Sequence, residues 1–164
     1  MLQKKICMLG AFGVGKTSLV RRFVDTIFSD SYLTTVGVKL DKKTVTVGVE
    51  TVNLILWDIA GEDDASAVRT TYLRGSAGYL LVADGTRAST LDVAESIRAR
   101  AEAEIGPVPF LLLVNKCDLR SEWAIPESRL DELAECGWTI RPTSAKTGES
   151  VEAAFQEIAE RVVR

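Results

Sequence analysis

The sequence predicts an α/β protein whose mostly parallel sheet is covered by helices on both faces. Three observations carry this. Short apolar runs alternate with amphipathic helical stretches along the whole chain. A single pair of adjoining strands joined by a tight turn interrupts that alternation. A glycine-rich loop stands between the first strand and the first helix, at the carboxyl end of a strand, where ligands sit in such sheets.

Residues 3–9 form the first strand and residues 16–25 the first helix. Residues 28–37 read as a polar, hydroxyl-rich loop. Residues 38–47 and 51–58 alternate apolar and polar side chains about a turn at Gly48-Val49-Glu50, which predicts an antiparallel hairpin with Val45 and Val47 on the face of Val52, Leu54 and Leu56. A loop at 61–65 leads to a helical stretch ending near Leu73. Residues 77–83 form a buried strand, and 91–104 a helix with Leu91, Ala94, Ile97 and Ala101 on one face. Residues 109–114 are the most apolar strand and are expected at the sheet centre. A helix at 127–136, a short strand at 138–140 and a helix at 150–163 complete the chain, the last with Val151, Ala154, Phe155, Ile158 and Val162 inward.

The chain has 164 residues, which suits one domain spanning 1–164. A net charge of −3 argues against a nucleic-acid role driven by bulk charge. No apolar run is long enough for a membrane helix, and the N-terminal residues enter a strand directly and do not resemble a signal peptide. The three cysteines, Cys7, Cys117 and Cys136, fit no zinc pattern and are expected as reduced thiols in a cytoplasmic setting. The absence of histidine excludes Ser-His-Asp and Cys-His catalysis. Chemistry must use carboxylates, lysines, hydroxyls, backbone groups or a bound ion.

Residues 10–17, Gly-Ala-Phe-Gly-Val-Gly-Lys-Thr, fit the phosphate-loop pattern G-x-x-x-x-G-K-[ST]. Its glycines let successive N–H groups, from Gly13 and Val14 through Gly15, Lys16, Thr17 and Ser18, turn toward phosphate oxygens. Lys16 adds positive charge at the outer phosphates, Thr17 offers a hydroxyl to Mg2+, and the following helix N-terminus favours anions. Asp58 ends a strand and can hold Mg2+ directly or through water. Gly61, three residues on, can offer its N–H to a terminal phosphate. Asn115-Lys116-Cys117-Asp118 follows the apolar strand at 109–114. A carboxylate at Asp118 accepts two hydrogen bonds from a guanine edge and is left unpaired by adenine. Asn115 would tie this loop to neighbouring backbone, and the Lys116 stem can lie along the base. Ser144-Ala145-Lys146 would bring N–H groups to the base carbonyl. Phe28 is either a core residue beside the first helix or an edge contact of the base, and Tyr32 flanks the same loop. Thr34 and Thr35 are both candidates to complete magnesium coordination when a third phosphate is present.

Taken together, Gly10 to Thr17, the Tyr-Leu-Thr-Thr-Val-Gly-Val run at 32–38, Trp-Asp-Ile-Ala-Gly-Glu-Asp at 57–63, Tyr-Leu-Arg-Gly at 72–75, Asn-Lys-Cys-Asp-Leu at 115–119 and Thr-Ser-Ala-Lys-Thr-Gly at 143–148 resemble the small GTPases of the Ras superfamily, the Rab branch most closely. The resemblance covers the whole chain. It implies the P-loop NTPase three-layer α/β/α fold, with a six-stranded sheet and five helices. It implies a switch that binds GTP and GDP with Mg2+ and hydrolyses GTP slowly. It selects Thr35 over Thr34, places switch I at 30–40 and switch II at 60–75, and gives Lys16, Thr35, Gly61 and residue 62 the catalytic roles. It also implies effector and regulator proteins at Val36 to Leu40, Trp57 and Tyr72, where Leu40 replaces one member of an aromatic triad.

Two departures bear on turnover. Glu62 stands where the family carries glutamine and is followed by Asp63 and Asp64. A carboxylate cannot donate as an amide does, and it repels the γ-phosphate by roughly 1 kcal/mol at about 4 Å in water. Phe12 stands where relatives carry a small residue; its ring would crowd an arginine supplied by an activating protein, or fold outward with little effect. A guanine-nucleotide scaffold with little hydrolysis is therefore the competing reading. A P-loop kinase or ATPase would need an acceptor site or lid for which the chain has no room. No C-a-a-X or cysteine pair follows the last helix, so no lipid anchor is expected within this chain.

Overall fold

The computed structural model describes residues 1–24, 32–33, 38–59 and 70–164. In chain order the elements are β1 (Leu2–Gly10), α1 (Lys16–Val24), β2 (Tyr32–Leu33), β3 (Val38–Val47), β4 (Glu50–Ile59), a 3-10 turn at Thr70–Leu73, β5 (Gly78–Asp84), α2 (Ser89–Ile105), β6 (Phe110–Asn115), a second 3-10 segment at Cys117–Glu122, α3 (Glu127–Glu135), β7 (Ile140–Pro142) and α4 (Val151–Val163). The strands lie in the order β2-β3-β4-β1-β5-β6-β7. Pairing of β3 with β4 and of β2 with β3 is antiparallel; all other pairs are parallel.

The six expected strands are all present, but β6, expected at the sheet centre, lies between β5 and the edge strand β7, and the central position belongs to β1. Strand β6 reads as apolar because both its faces are buried by helices. The expected loop at 28–37 additionally carries the two-residue β2, which pairs Tyr32 with Leu40 and Leu33 with Lys39 at the sheet edge. Among the described residues there are four α-helices. The helical stretch expected before Leu73 falls largely on 60–69, outside the described residues, and its end is the 3-10 turn. The hairpin closes in two residues, Gly48 and Val49, with Val47 facing Glu50.

Alternation along each central strand divides the core in two. Ile6 and Met8 of β1, Leu80 and Val82 of β5 and Leu111 and Leu113 of β6 face α1 and α4. Cys7 and Leu9, Tyr79 and Leu81, and Leu112 and Val114 face α2 and α3. Strands buried on both faces read as continuous apolar runs for this reason. The Phe23 and Phe155 rings stack at 4.1 Å and join α1 to α4.

The short strand predicted at 138–140 lies instead at Ile140–Pro142. Trp138 closes helix α3: Gly137, at φ 94°, donates to Ala134 O, and the Trp138 N–H to Leu133 O, the double bond pattern of a Schellman cap. The Trp138 backbone is thereby spent on the helix, while its ring packs edge-on against Phe110. Pro142, which has no N–H to give, is tolerated because β7 is the edge strand.

Candidate functional site

Strand β1 lies between β4 and β5, where the sheet order reverses, so its carboxyl end opens onto a crevice. The chain leaves β1 at Gly10, turns through 11–15 and enters α1 at Lys16. Two glycines are required by close approach. A Cβ on Gly10 would stand 2.4 Å from the Val82 carbonyl oxygen, and one on Gly15, at φ 103°, 2.3 Å from the Asn115 amide nitrogen. The buried Lys16 ammonium donates to the Gly10 and Ala11 carbonyls, each at 3.0 Å, so it lies back across its own loop.

Asp58 stands near the end of β4, level with Met8 of β1. Its Oδ2 accepts a hydrogen bond from the Thr17 hydroxyl at 2.5 Å. Burial pushes the Asp58 carboxyl above its ordinary range, against the opposing pull of the Thr17 hydrogen bond and the charges of Lys16 and Lys39. A buried carboxylate beside an exposed hydroxyl, with no sulfur or nitrogen ligand between them, is an oxygen donor pair of the kind Mg2+ takes. The two residues fit that ion.

The base-side segments converge on Asn115. Its amide donates to the Val14 carbonyl at 3.0 Å, and its Oδ1 accepts from the Thr143 hydroxyl and the Ala145 N–H, both at 3.2 Å. One buried side chain thus joins the phosphate loop to both segments expected around a base. Asp118 Oδ1 accepts from the Ser144 hydroxyl at 2.7 Å. The Asp118 carboxylate is exposed in the protein itself, so any burial of it must come from a ligand. Asn115, Lys116, Asp118, Leu119, Ala145 and Lys146, with Gly15 and Ser18 of the loop and helix, line a cleft of about 430 Å³.

Lys116 adopts a left-handed backbone at φ 70°. Its ammonium pairs with Asp84 at 2.8 Å and reaches the Gly13 carbonyl at 3.4 Å. Asp84 is fully buried and also accepts from the Thr86 N–H and hydroxyl. Burial pushes its carboxyl up, but the bonds from Lys116 and Thr86 outweigh that and hold it below its ordinary range. Cys117 Sγ donates to Glu149 Oε2 at 3.0 Å; burial first, and then the Glu149 carboxylate, push its thiol up to about 11.

Leu119 and Thr143 stood within the motifs at 115–119 and 143–148 without an assigned role, and sequence reasoning missed Asp84, Thr86, Arg87 and Glu149. Only Asp84 carried a signal, as a carboxylate ending an otherwise apolar strand. Phe12 is 68% exposed at the loop's rim. Leu40 and Trp57 face one another across β3 and β4, both half-buried as is Tyr72, and the Lys5 ammonium lies 3.6 Å from the centre of a Trp57 ring. Phe28, Thr34, Thr35, Val36, Gly37, Gly61, Glu62, Asp63 and Asp64 lie outside the described residues, as does the Tyr32 side chain; so does the expected apposition of Phe12 and Glu62.

A glycine loop at the carboxyl end of the central strand, a lysine and a hydroxyl opening the next helix, and a strand-end carboxylate beside them define a phosphate-loop nucleotide-binding protein. The Ras family model matches residues 5–164. The chain is 32% identical to Ras-related protein Rab-10 of Caenorhabditis elegans over 161 residues, covering 97% of this chain and 80% of that protein. It is 34% identical to human Ras-related protein Rab-7L1 over 170 residues, covering 98% and 82%. Against Ras-related protein Rab-13 of Bos taurus the identity is 32%, covering 97% and 79%. The chain belongs to the Ras family and is Rab-like. It is a GTP-binding molecular switch and a GTPase, of a family that binds GTP and GDP with Mg2+ and engages effector and regulator proteins. Among the described residues no helix is long and apolar enough to cross a membrane.

Proposed function

We propose that residues 1–164 act as one cytoplasmic G domain that holds guanine nucleotide between the phosphate loop and the Asp118 cleft and hydrolyses GTP slowly. The observation that supports this best is the Asn115 hub, which fixes the loop and both base segments in one frame. In this reading Asp118 accepts the guanine N–H and amino groups, and Ala145 and Lys146 present N–H groups to the base carbonyl. Phe28 and Tyr32 flank the nucleotide. Lys16 and the N–H groups of Gly13 to Ser18 stabilise charge on the phosphate oxygens. Thr17 and Thr35 hold Mg2+ with Asp58 beside them, and Gly61 donates to the terminal phosphate. Mg2+ held by these residues would supply positive charge against that of the phosphates. Partners meet the protein at residues 36–40, Trp57 and Tyr72.

Slow turnover follows from Glu62, which cannot orient water with an amide donor and adds negative charge near the γ-phosphate. Glu62 also favours a second reading as a guanine-nucleotide scaffold, whereas the exposed Phe12 at the loop's rim fits the outward placement expected to have little effect. A single-turnover assay with GTP and Mg2+ separates the two. The switch reading expects phosphate release above the buffer rate, accelerated roughly tenfold or more by Glu62→Gln. Release no faster than buffer would leave the scaffold; no response to Glu62→Gln would remove the role given to Glu62. Equal affinity for ATP and GTP would overturn the assignment of Asp118.

A further inference from the structure

The turn between β5 and α2 brings another cation to the phosphate loop. Arg87 Nη1 donates to the Phe12 carbonyl at 2.9 Å, across 75 positions of sequence. The same nitrogen lies 3.3 Å from where a Cβ on Gly13 would stand. The Arg87 backbone is clamped: its N–H donates to Asp84 O at 3.0 Å, and its carbonyl accepts from the Thr90 N–H at 3.0 Å and hydroxyl at 2.7 Å. Arg87 is half-exposed and makes no ion pair among the described residues, whereas Lys116 nearby is neutralised by Asp84. One guanidinium N–H on Phe12 leaves the other donors for a ligand.

The two ends of the loop are distinguishable. Gly15, with Ser18 beyond it, lines the base cleft; Phe12 and Gly13 do not. A nucleotide seated with its base in that cleft therefore sends its phosphates along the loop toward Phe12 and Gly13. Resting on the guanine-nucleotide reading above, we propose that Arg87 is a cation supplied by the chain itself to the terminal phosphate, favouring GTP over GDP and stabilising the charge that spreads over the γ-phosphoryl group during hydrolysis. In that step the water oxygen bonds to the γ-phosphorus as its bond to the β–γ bridging oxygen breaks. The bridging electron pair stays on GDP, and the water proton leaves with phosphate or solvent. A guanidinium spreads its charge over a planar fork that matches those oxygens.

The test uses the full chain, Arg87→Gln and Arg87→Lys, with dissociation constants for GDP and for a non-hydrolysable GTP analogue at fixed Mg2+. A parallel titration asks whether GDP binds more tightly with fluoroaluminate, a mimic of the transferring phosphoryl group. Glutamine can still donate to the Phe12 carbonyl but carries no charge. The proposal expects Arg87→Gln to keep GDP affinity, to lower the analogue-to-GDP affinity ratio about tenfold and to abolish the fluoroaluminate effect, with lysine restoring most of the ratio. An unchanged ratio, or equal weakening of both nucleotides, would show that Arg87 only holds the loop backbone and would overturn it. Wild-type protein that binds neither guanine nucleotide would instead overturn the function on which the inference rests.

Discussion

At the proposed base end of the cleft the protein's groups brace one another through bonds that a nucleotide need not break, whereas at the proposed phosphate end the groups expected to meet phosphate and Mg2+ are already bonded to one another or to their own loop. Asn115 spans Val14, Thr143 and Ala145; Asp118 meets Ser144; Cys117 meets Glu149; and Arg22 reaches the Thr147 carbonyl. At the other end Lys16 bonds to carbonyls of its own loop, and Thr17 and Asp58 satisfy each other. The base frame can keep these bonds when a nucleotide arrives, so recognition of the base costs little ordering. Phosphates and Mg2+ must instead compete with internal partners of Lys16, Thr17 and Asp58. In the proposed seating, base selection comes first and the response to the phosphates second.

The largest effect expected from this contrast is at Asn115. Asn115→Ala removes three hydrogen bonds from a buried position and uncouples the loop from both base segments. With roughly 1 kcal/mol per bond, GDP affinity should fall about 100-fold, with or without Mg2+. Thr17→Ala should weaken binding chiefly in the presence of Mg2+. Titration calorimetry of both variants in Mg2+-free buffer distinguishes them, and an Asn115→Ala defect no larger than that of Thr17→Ala would break the comparison.

A smaller effect is expected at Asp84, which braces the base end through Lys116. Its carboxyl is held below the ordinary aspartate value of about 3.9. The folded state therefore binds fewer protons than the unfolded state just below that pH. The stabilisation is complete above about pH 4 and is lost as pH falls through the lower, folded value. Asp84→Asn should cost about 2 kcal/mol at neutral pH and flatten the acid limb of the stability profile. Denaturant melts from pH 3 to 7 measure both. A variant as stable as the parent at pH 7 would show that Lys116 needs no partner there.

The sequence made one kind of feature legible and hid another. Gly15, Lys16, Thr17, Asp58, Asn115 and Asp118 were readable because each requirement is local: a backbone turn, a helix start, a polar residue ending a strand. Their assembly into one site then follows from a parallel sheet, which places all strand carboxyl ends on one side. Arg87 and Glu149 were not readable. Their bonds to Phe12 and Cys117 depend on how the β5–α2 turn and the start of α4 stand over the loops, and neither residue type signals that. The shift of β7 has the same origin. Trp138 suits a strand by propensity, but the cap of α3 takes its N–H first.

The smallest effect concerns the thiols and sharpens the picture of the base end. Cys117 adjoins Asp118, yet the residue is only 5% exposed and its sulfur donates to Glu149, with its thiol pushed up to about 11. Cys7 is buried beneath Tyr72 and Ser76, and burial raises its thiol as well. Cys136 is exposed at the end of α3. Since the thiolate is the reactive form, a disulfide reagent at about pH 7.5, a unit below the pKa of a free thiol, should modify Cys136 rapidly and leave Cys7 and Cys117 intact until the protein unfolds. Glu149→Ala removes both the hydrogen bond and the negative charge that disfavours the thiolate. It should make Cys117 modifiable in the folded protein and speed GDP release a few-fold. Rapid labelling of Cys117 in the parent protein would mean that the Glu149 contact opens readily, and that the base end is less firmly braced than its hydrogen bonds indicate.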